Sequence, residues 1–437
     1  MNLRRLTFMN ARGATKSGTI LAPLILFTFF ALILGACSSE DDEPIVDEPI
    51  IDDPIEEPGE ELEAAVAMVY RIQSTGTDSW FIEAYEDIPT EVVISEATEV
   101  GQAGTTVNAL GDAVFVWNGE GLITKWAVDR TNLDITEDGT IDITSLGVEG
   151  DIGTIIKKND NEAYLIDNKI GTIVEFDPEI MEVVEVINYD AYEPVGWFPS
   201  DPTDARVTTF QHRLIDDFIM APVSNADFSN WNSPYNAIMF VFDTRDNSVE
   251  YKFDNRIAGA NDRFITAPTG EIYQAAGWWT GLLPIAGDHD RETMPSSTGI
   301  LKFNRDGTWD ENFFLDLNVI DPGTTVLWRP QFVIGNEILV SYWPPETEFS
   351  EDDIFGLFNQ PRVAAIIDLD TQESRPFTSL DQYNGFNIIG EFKGTTYIGA
   401  FPAEGPNILV RQDGIESYTE VLTSAEGVSL RQVRQLW

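Results

Sequence analysis

The sequence predicts an all-β protein, a β-propeller of seven four-stranded blades, and three observations lead there. The first is a unit of strand, loop, strand, tight turn and strand legible over Ile272–Asp316. Its first half, Ile272–Trp279, is a short apolar run ending in aromatics, and its second, Gly299–Asn304, alternates at period two as a half-buried strand does. Asp306-Gly307 in the turn Arg305–Thr308 supplies the positive-φ glycine of a hairpin, so Trp309 to Leu317 is expected to return as the outer strand. The second observation is recurrence. Seven apolar runs (Met68–Ile72, Ala113–Trp117, Ala163–Ile166, Phe218–Ala221, Ile272–Ala276, Ile338–Trp343, Thr396–Phe401) are each followed by a second run ending on a polar residue. Those second runs are Trp80–Asp87, Ile123–Asp129, Thr172–Asp177, Ile238–Asp243, Ile300–Asn304, Val363–Asp368 and Asn407–Asp413. One such unit leaves an apolar face uncovered and must stack on its copies. The third observation is that no long 3.6-period stripe interrupts them. Blades in a ring satisfy all three. A β-sandwich with irregular strands is the competing architecture, but seven units exceed what it needs.

Taken in order, the chain begins with Arg4, Arg5, Arg12 and Lys16, the apolar stretch Ile20–Leu34, and then Leu34-Gly35-Ala36-Cys37. This has the layout of a signal peptide over residues 1–36, with small residues before the only cysteine as in a bacterial lipobox, which would make Cys37 the lipid-bearing mature N-terminus. The apolar run is shorter than the ~20 residues of a membrane span. With one cysteine, no disulfide can form within the mature chain, so stability must come from core burial. Residues 37–63, beginning Cys37-Ser-Ser-Glu-Asp-Asp-Glu43, are acidic and Pro-rich and are expected to form a disordered tether.

From Ala64 to Trp437 a single propeller domain is expected. Shared among seven blades it has more residues per unit than the ~40–45 of compact propeller repeats, and the excess lies in loops. A ring must close, and the alternating Ser429–Trp437 is expected as a strand beside those of the first blade. Composition narrows the partners: 26 Lys+Arg against 74 Asp+Glu give a formal charge of −48, so nucleic acid and anionic lipid are repelled. A cationic cluster in such a chain calls for an explanation.

Three consecutive loops between second and third strands are long: Pro222–Asn236, Gly277–Thr298 and Pro344–Arg362. They carry Trp231, Tyr235, Trp278, Trp279, His289 and Phe358, with Tyr342 and Trp343 at the base of the last. Long loops massed on one sector of one face suit a binding surface, although such aromatics also serve to pack the loops' own small cores. The inner strands of the same blades begin Gln211-His212-Arg213, Asn261-Asp262-Arg263 and Trp328-Arg329-Pro330, which points Arg213, Arg263 and Arg329 toward one mouth, unless carboxylates such as Asp216 and Asp262 pair with them. Aromatics with arginines make a site for an anionic aromatic ligand, with Trp278, Trp328 and Trp343 as stacking walls.

Catalytic signatures are missing: no nucleophile elbow, zinc pair, phosphate loop or dinucleotide fingerprint is present, and His212 and His289 are the only histidines. Asp134–Asp142 imitates a calcium loop but has Ser145 where the bidentate glutamate belongs, and reads better as a hairpin turn. No cofactor or metal is expected, nor any enzymatic activity. A polysaccharide-cleaving propeller and an adhesive propeller binding protein or glycan are the alternatives.

The segment Ser297–Asp316, with Ile367–Gln372, resembles a family of Bacteroidota lipoproteins catalogued as a domain of unknown function, similar in turn to the xenosiderophore-utilisation lipoproteins. The resemblance implies capture of a ferric siderophore at the outer-membrane surface and hand-over to a TonB-dependent receptor. The acidic run after Cys37 resembles the surface-export signal of such lipoproteins, and Ser38 agrees with outer-membrane sorting. A soluble spacer on the periplasmic side is the plainer reading of that run. No binding residue is carried over from the family, and neither the cargo's identity nor the oligomeric state is legible.

Overall fold

Each blade is a four-stranded antiparallel meander, and there are seven among the described residues. The computed structural model describes residues 61–437 except 75–76, 103–105, 118–120, 147, 149–153, 168–170, 190–211, 224–230, 234, 260–263, 288, 351–352, 381–384 and 403. The signal peptide, Cys37 and the tether lie outside the described residues.

From the inside outward, blade 1 is Val428–Gln435, Val66–Ser74, Thr77–Tyr85 and Thr98–Gln102. Blade 2 is Thr106–Leu110, Ala113–Trp117, Leu122–Val128 and Ile135–Asp142. Blade 3 is Ile155–Asn159, Glu162–Asp167, Thr172–Asp177 and Glu182–Asn188. Blade 4 is Arg213–Ile215, Phe218–Pro222, Ala237–Asp243 and Ser248–Asp254. Blade 5 is Phe264–Thr266, Ile272–Ala275, Gly299–Phe303 and Leu315–Asp316. Blade 6 is Leu327–Ile334, Glu337–Tyr342, Val363–Asp368 and Ser374–Pro376. Blade 7 is Gly385–Phe392, Thr395–Phe401, Ile408–Gly414 and Ser417–Thr423. Every recurrent strand pair legible in the sequence is a second and third strand of one blade.

The alternation explains the stacking. In blade 1, Met68 and Tyr70 pack against Ile389, Leu409 and Val433, whereas their neighbours Ala67 and Val69 pack against Val107, Val114 and Val116 of blade 2. Successive residues of one strand thus feed opposite interfaces, so both faces of a blade are apolar. The same division recurs around the ring: Phe115 with Phe176 between blades 2 and 3, Tyr164 with Phe242 between 3 and 4, and Met220 with Phe303 between 4 and 5. Tyr273 with Ile338 and Leu339 with Ile398 complete it between blades 5, 6 and 7.

Closure is by the last strand. Val428–Gln435 pairs antiparallel with Val66–Ser74 and meets the inner strand of blade 7 in parallel at Gly390↔Val433. Beyond it Leu436 N donates to Ala65 O at 2.9 Å and Trp437 Nε1 to Leu62 O at 3.0 Å, and Arg130 lies 5.0 Å from the Trp437 ring.

Two expectations are corrected. The outer strand of blade 5 is Leu315–Asp316 alone, because Arg256 takes the carbonyls a ladder would need: Nη2 donates to Asp310 O at 2.9 Å, and Nη1 to Phe313 O at 2.7 Å and Glu311 O at 3.3 Å. Asp134–Asp142 is not a hairpin turn, since Ile135–Asp142 is the outer strand of blade 2. The turn precedes it, where Asp129 accepts from Thr131 N at 2.7 Å and Thr131 Oγ1 at 2.6 Å.

Candidate functional site

The three long loops cover blades 4, 5 and 6 on the face where the inner strands begin. They hold one another. His289 Nε2 donates to the Trp231 carbonyl at 2.9 Å and its Nδ1 accepts from the Tyr235 hydroxyl at 2.5 Å, tying the second loop to the first and fixing the imidazole tautomer. In the second loop Trp278–Leu282 and Leu283–Ala286 form a short helical stretch. Gly281 there lies so close to blade 6 that a Cβ would stand 2.0 Å from Thr325 O, so only glycine allows the approach. In the third loop Ile354–Asn359 is a 3₁₀ helix, capped by Asp353, whose Oδ1 accepts from Gly356 N at 2.9 Å.

Between these elements Leu282, Val326, Trp343, Ile354 and Leu357 form a separate apolar core, with Trp231, Trp278 and Trp328 against it. Trp343 is 1 % exposed and its Nε1 donates to Leu357 O at 3.0 Å, so it fills this core rather than offering a stacking wall. Trp279 is buried likewise, with Nε1 3.5 Å from Ser233 Oγ. Tyr342 turns into the blade 5–6 interface, and its hydroxyl donates to Asp321 Oδ2 at 3.0 Å. For these three residues the loop-packing role holds.

Trp278, Trp328 and Phe358 make the outer layer. Their rings meet edge-on or tilted, with centroids 5.1 Å apart for Trp278 and Phe358, 5.8 Å for Trp328 and Phe358, and 6.5 Å for Trp278 and Trp328. Phe358 is 42 % exposed. Arg362, which ends the third loop, places its guanidinium 4.9 Å from the Trp328 ring and 5.7 Å from that of Trp343. It is half-buried, burial holds it below the ordinary arginine range, and it has no carboxylate partner among the described residues. Arg329 lies beneath, buried, 5.2 Å from the same Trp328 ring.

Arg213 is not at that mouth. Arg213 stands two residues before the end of its strand, where Ile215 pairs with Phe218, while Arg329 stands five before the corresponding Ile334 and Glu337. A bulge between Pro330 and Phe332 takes up one of those residues, so at ~3.3 Å per residue Arg213 lies roughly 7 Å deeper. It lines the central channel: water reaches it, yet protein surrounds it closely enough that burial lowers its pKa. Its Nη1 donates to His212 O at 3.3 Å and its guanidinium lies 6.0 Å from the Phe264 ring. His212 beside it is 1 % exposed, and burial, with the Arg213 charge second, pushes its pKa down to about 3. Arg263 lies outside the described residues.

Two arginines that the sequence reading did not single out belong here. Arg362 sits at the end of a long loop, a position that length and aromatic content already flagged. Arg434 is on the closing strand; placing that strand innermost in blade 1 puts it at the channel, where burial and then the Arg213 charge lower its pKa to about 10. Among the described residues no group of three His, Cys, Asp or Glu side chains is arranged to hold a metal ion. The arrangement offers cations and ring faces, the means to bind an anion with an aromatic body.

No protein-family model and no curated protein matches the chain. Among solved structures, similar folds include a candidate 6-phosphogluconolactonase from Bacteroides fragilis, at 12 % identity and TM-score 0.47 over 85 % of this chain and 98 % of that one. The β-propeller domain of the Trilobed protease from Pyrococcus furiosus is 11 % identical with TM-score 0.42, over 82 % of this chain and 92 % of that one. Apo AztD from Citrobacter koseri is 11 % identical with TM-score 0.37, over 85 % and 98 %.

Proposed function

We propose that this chain is a binding protein, not an enzyme, that captures a small anionic aromatic cargo at the loop-bearing mouth. The observation that carries this reading is Arg362, a half-buried cation held on the Trp328 and Trp343 rings in a chain of formal charge −48, with no carboxylate partner among the described residues. A protein so acidic repels anions at long range, so one can be held only where a cation is close and partly shielded from solvent. An aromatic anion would meet the guanidinium with its charge and Trp278, Trp328 and Phe358 with its rings.

An iron–catecholate siderophore has both properties. With the resemblance to siderophore lipoproteins and the lipobox-like sequence at Cys37, it supports a fuller reading: a surface-exposed outer-membrane lipoprotein that passes its cargo to a TonB-dependent receptor. Titration of a ferric catecholate, followed by quenching of tryptophan fluorescence, should saturate at one equivalent without product accumulating. Arg362→Gln should weaken binding tenfold or more, as loss of a charged hydrogen bond of about 1.5–3 kcal/mol requires. Unchanged affinity in that variant would remove the site. Turnover on prolonged incubation would remove the binding-protein class. For the location, Cys37→Ala should release the protein from membranes.

A further inference from the structure

We propose that Arg213 and Arg434 form a second anion site, inside the central channel, that takes a small multivalent oxyanion of the phosphate or dicarboxylate kind. The two side chains approach from opposite sides of the ring. Going round from the closing strand Val428–Gln435, the inner strands of blades 2, 3 and 4 touch in succession; the other way, those of blades 7, 6 and 5 intervene. Blades 1 and 4 therefore face each other, and a long side chain from each can reach the channel between them.

Among the described residues the hydrogen-bond and ring contacts of the pair are neutral. Arg213 donates to the His212 carbonyl and lies by the Phe264 ring, and Arg434 Nε donates to Gln432 Oε1 at 3.3 Å. Neither has a carboxylate partner among the described residues, although the chain holds 74 Asp and Glu. Glu391, the register partner of Arg434, is exposed and makes no ion pair with it. His212, the titratable group packed beside Arg213, is held neutral by burial and adds no opposing charge.

Two cations on facing inner strands of a closed ring, the Arg213 charge adding to burial in holding Arg434 below the ordinary arginine range, repel across a medium that screens them poorly. A protein this rich in acids would normally set a carboxylate between them. An oxyanion with charge on two sides converts the repulsion into charge-assisted hydrogen bonds, and guanidinium forks suit both carboxylate and phosphate. This site shares no residue with the aromatic mouth and does not depend on the cargo assigned there.

Calorimetry on the full chain at low ionic strength tests it, with inorganic phosphate in one arm and malonate in the other. Saturable one-to-one binding in either arm is expected and identifies the oxyanion, and no saturable heat in both would overturn the site. Arg213→Gln and Arg434→Gln should each weaken that binding at least tenfold, and Arg434→Lys, which keeps the charge but loses the fork, less. Arg362→Gln should leave it unchanged. Melting in anion-poor buffer supplies a second readout that a merely structural arginine would not give: Arg434→Gln relieves the repulsion and should melt no lower than the parent. Binding that survives in Arg434→Gln would refute the proposal.

Discussion

Gly390→Ala tests the seam where the ring closes. An alanine Cβ at this position would stand 1.6 Å from Val433 O and 2.6 Å from its carbonyl carbon. The seam between the inner strands of blades 7 and 1 must therefore open by about 1.4 Å, from 1.6 Å to the 3.0 Å that real Cβ contacts respect. These strands pair only at Gly390↔Val433 and Glu391↔Arg434, so that displacement takes the whole parallel ladder with it. Lost ladder bonds at ~0.5–1.5 kcal/mol each, together with an overpacking cost of ~1–3 kcal/mol, put the loss at about 3 kcal/mol. For a domain of this size that is a fall in Tm of roughly 4 °C. The backbone of Gly390 lies outside the left-handed region, so the penalty is steric. Gly335→Ala separates the two causes, because Gly335 has φ +57° and nothing within 4 Å of a Cβ, leaving only a conformational cost of ~1–2 kcal/mol. Thermal melts followed by circular dichroism should rank Gly390→Ala well below Gly335→Ala. A Gly390→Ala protein melting within about 1 °C of the parent would show that the seam yields freely and that closure does not depend on it.

Deleting Ser429–Trp437 removes Leu430, Val433 and Leu436 from the core and leaves Val66–Ser74 with one partner strand, so the truncated chain should fail to give a cooperative melt; an unchanged Tm would refute strand closure. His212 supplies a pH dependence. Its imidazole, with a pKa of about 3 in the fold against 6.5 ordinarily, leaves the extra proton to the unfolded chain. Stability from this group is therefore complete above pH ~6.5 and falls at about 1.4 kcal/mol per unit below it, down to about pH 3. His212→Gln should flatten the stability profile between pH 6 and pH 4 relative to the parent, and parallel profiles would count against a buried neutral imidazole.

The blades were legible through their second and third strands, whose apolar runs recur seven times and resemble their counterparts. The pairing of Val66–Ser74 with Val428–Gln435 was legible too, because a ring leaves two ends to join. What escaped was set by side chains reaching across sequence. Nothing near Trp309 announces that Arg256 occupies the carbonyls that would have continued the outer strand of blade 5. The mouth was legible in outline, as long loops rich in aromatics, but not in detail. A tryptophan's place in the chain does not tell whether its ring faces water, as Trp328 partly does, or fills a core, as Trp343 does. The depth of Arg213 follows from strand register, which is fixed by the Ile215↔Phe218 pairing rather than by order along the chain.

The latch formed by Val428–Gln435 on Val66–Ser74 also governs how the molecule is made. A chain emerging from the ribosome presents three strands of its first blade early and the strand that completes that blade only after the other six. Until Val428–Gln435 has been made, the inner edge of Val66–Ser74 carries unpaired N–H and C=O groups beside an apolar face, the combination that invites pairing with another chain. A nascent or prematurely terminated product is thus an open ring with a sticky edge, which places its main hazard in biogenesis. Once Val428–Gln435 arrives, that edge no longer exists.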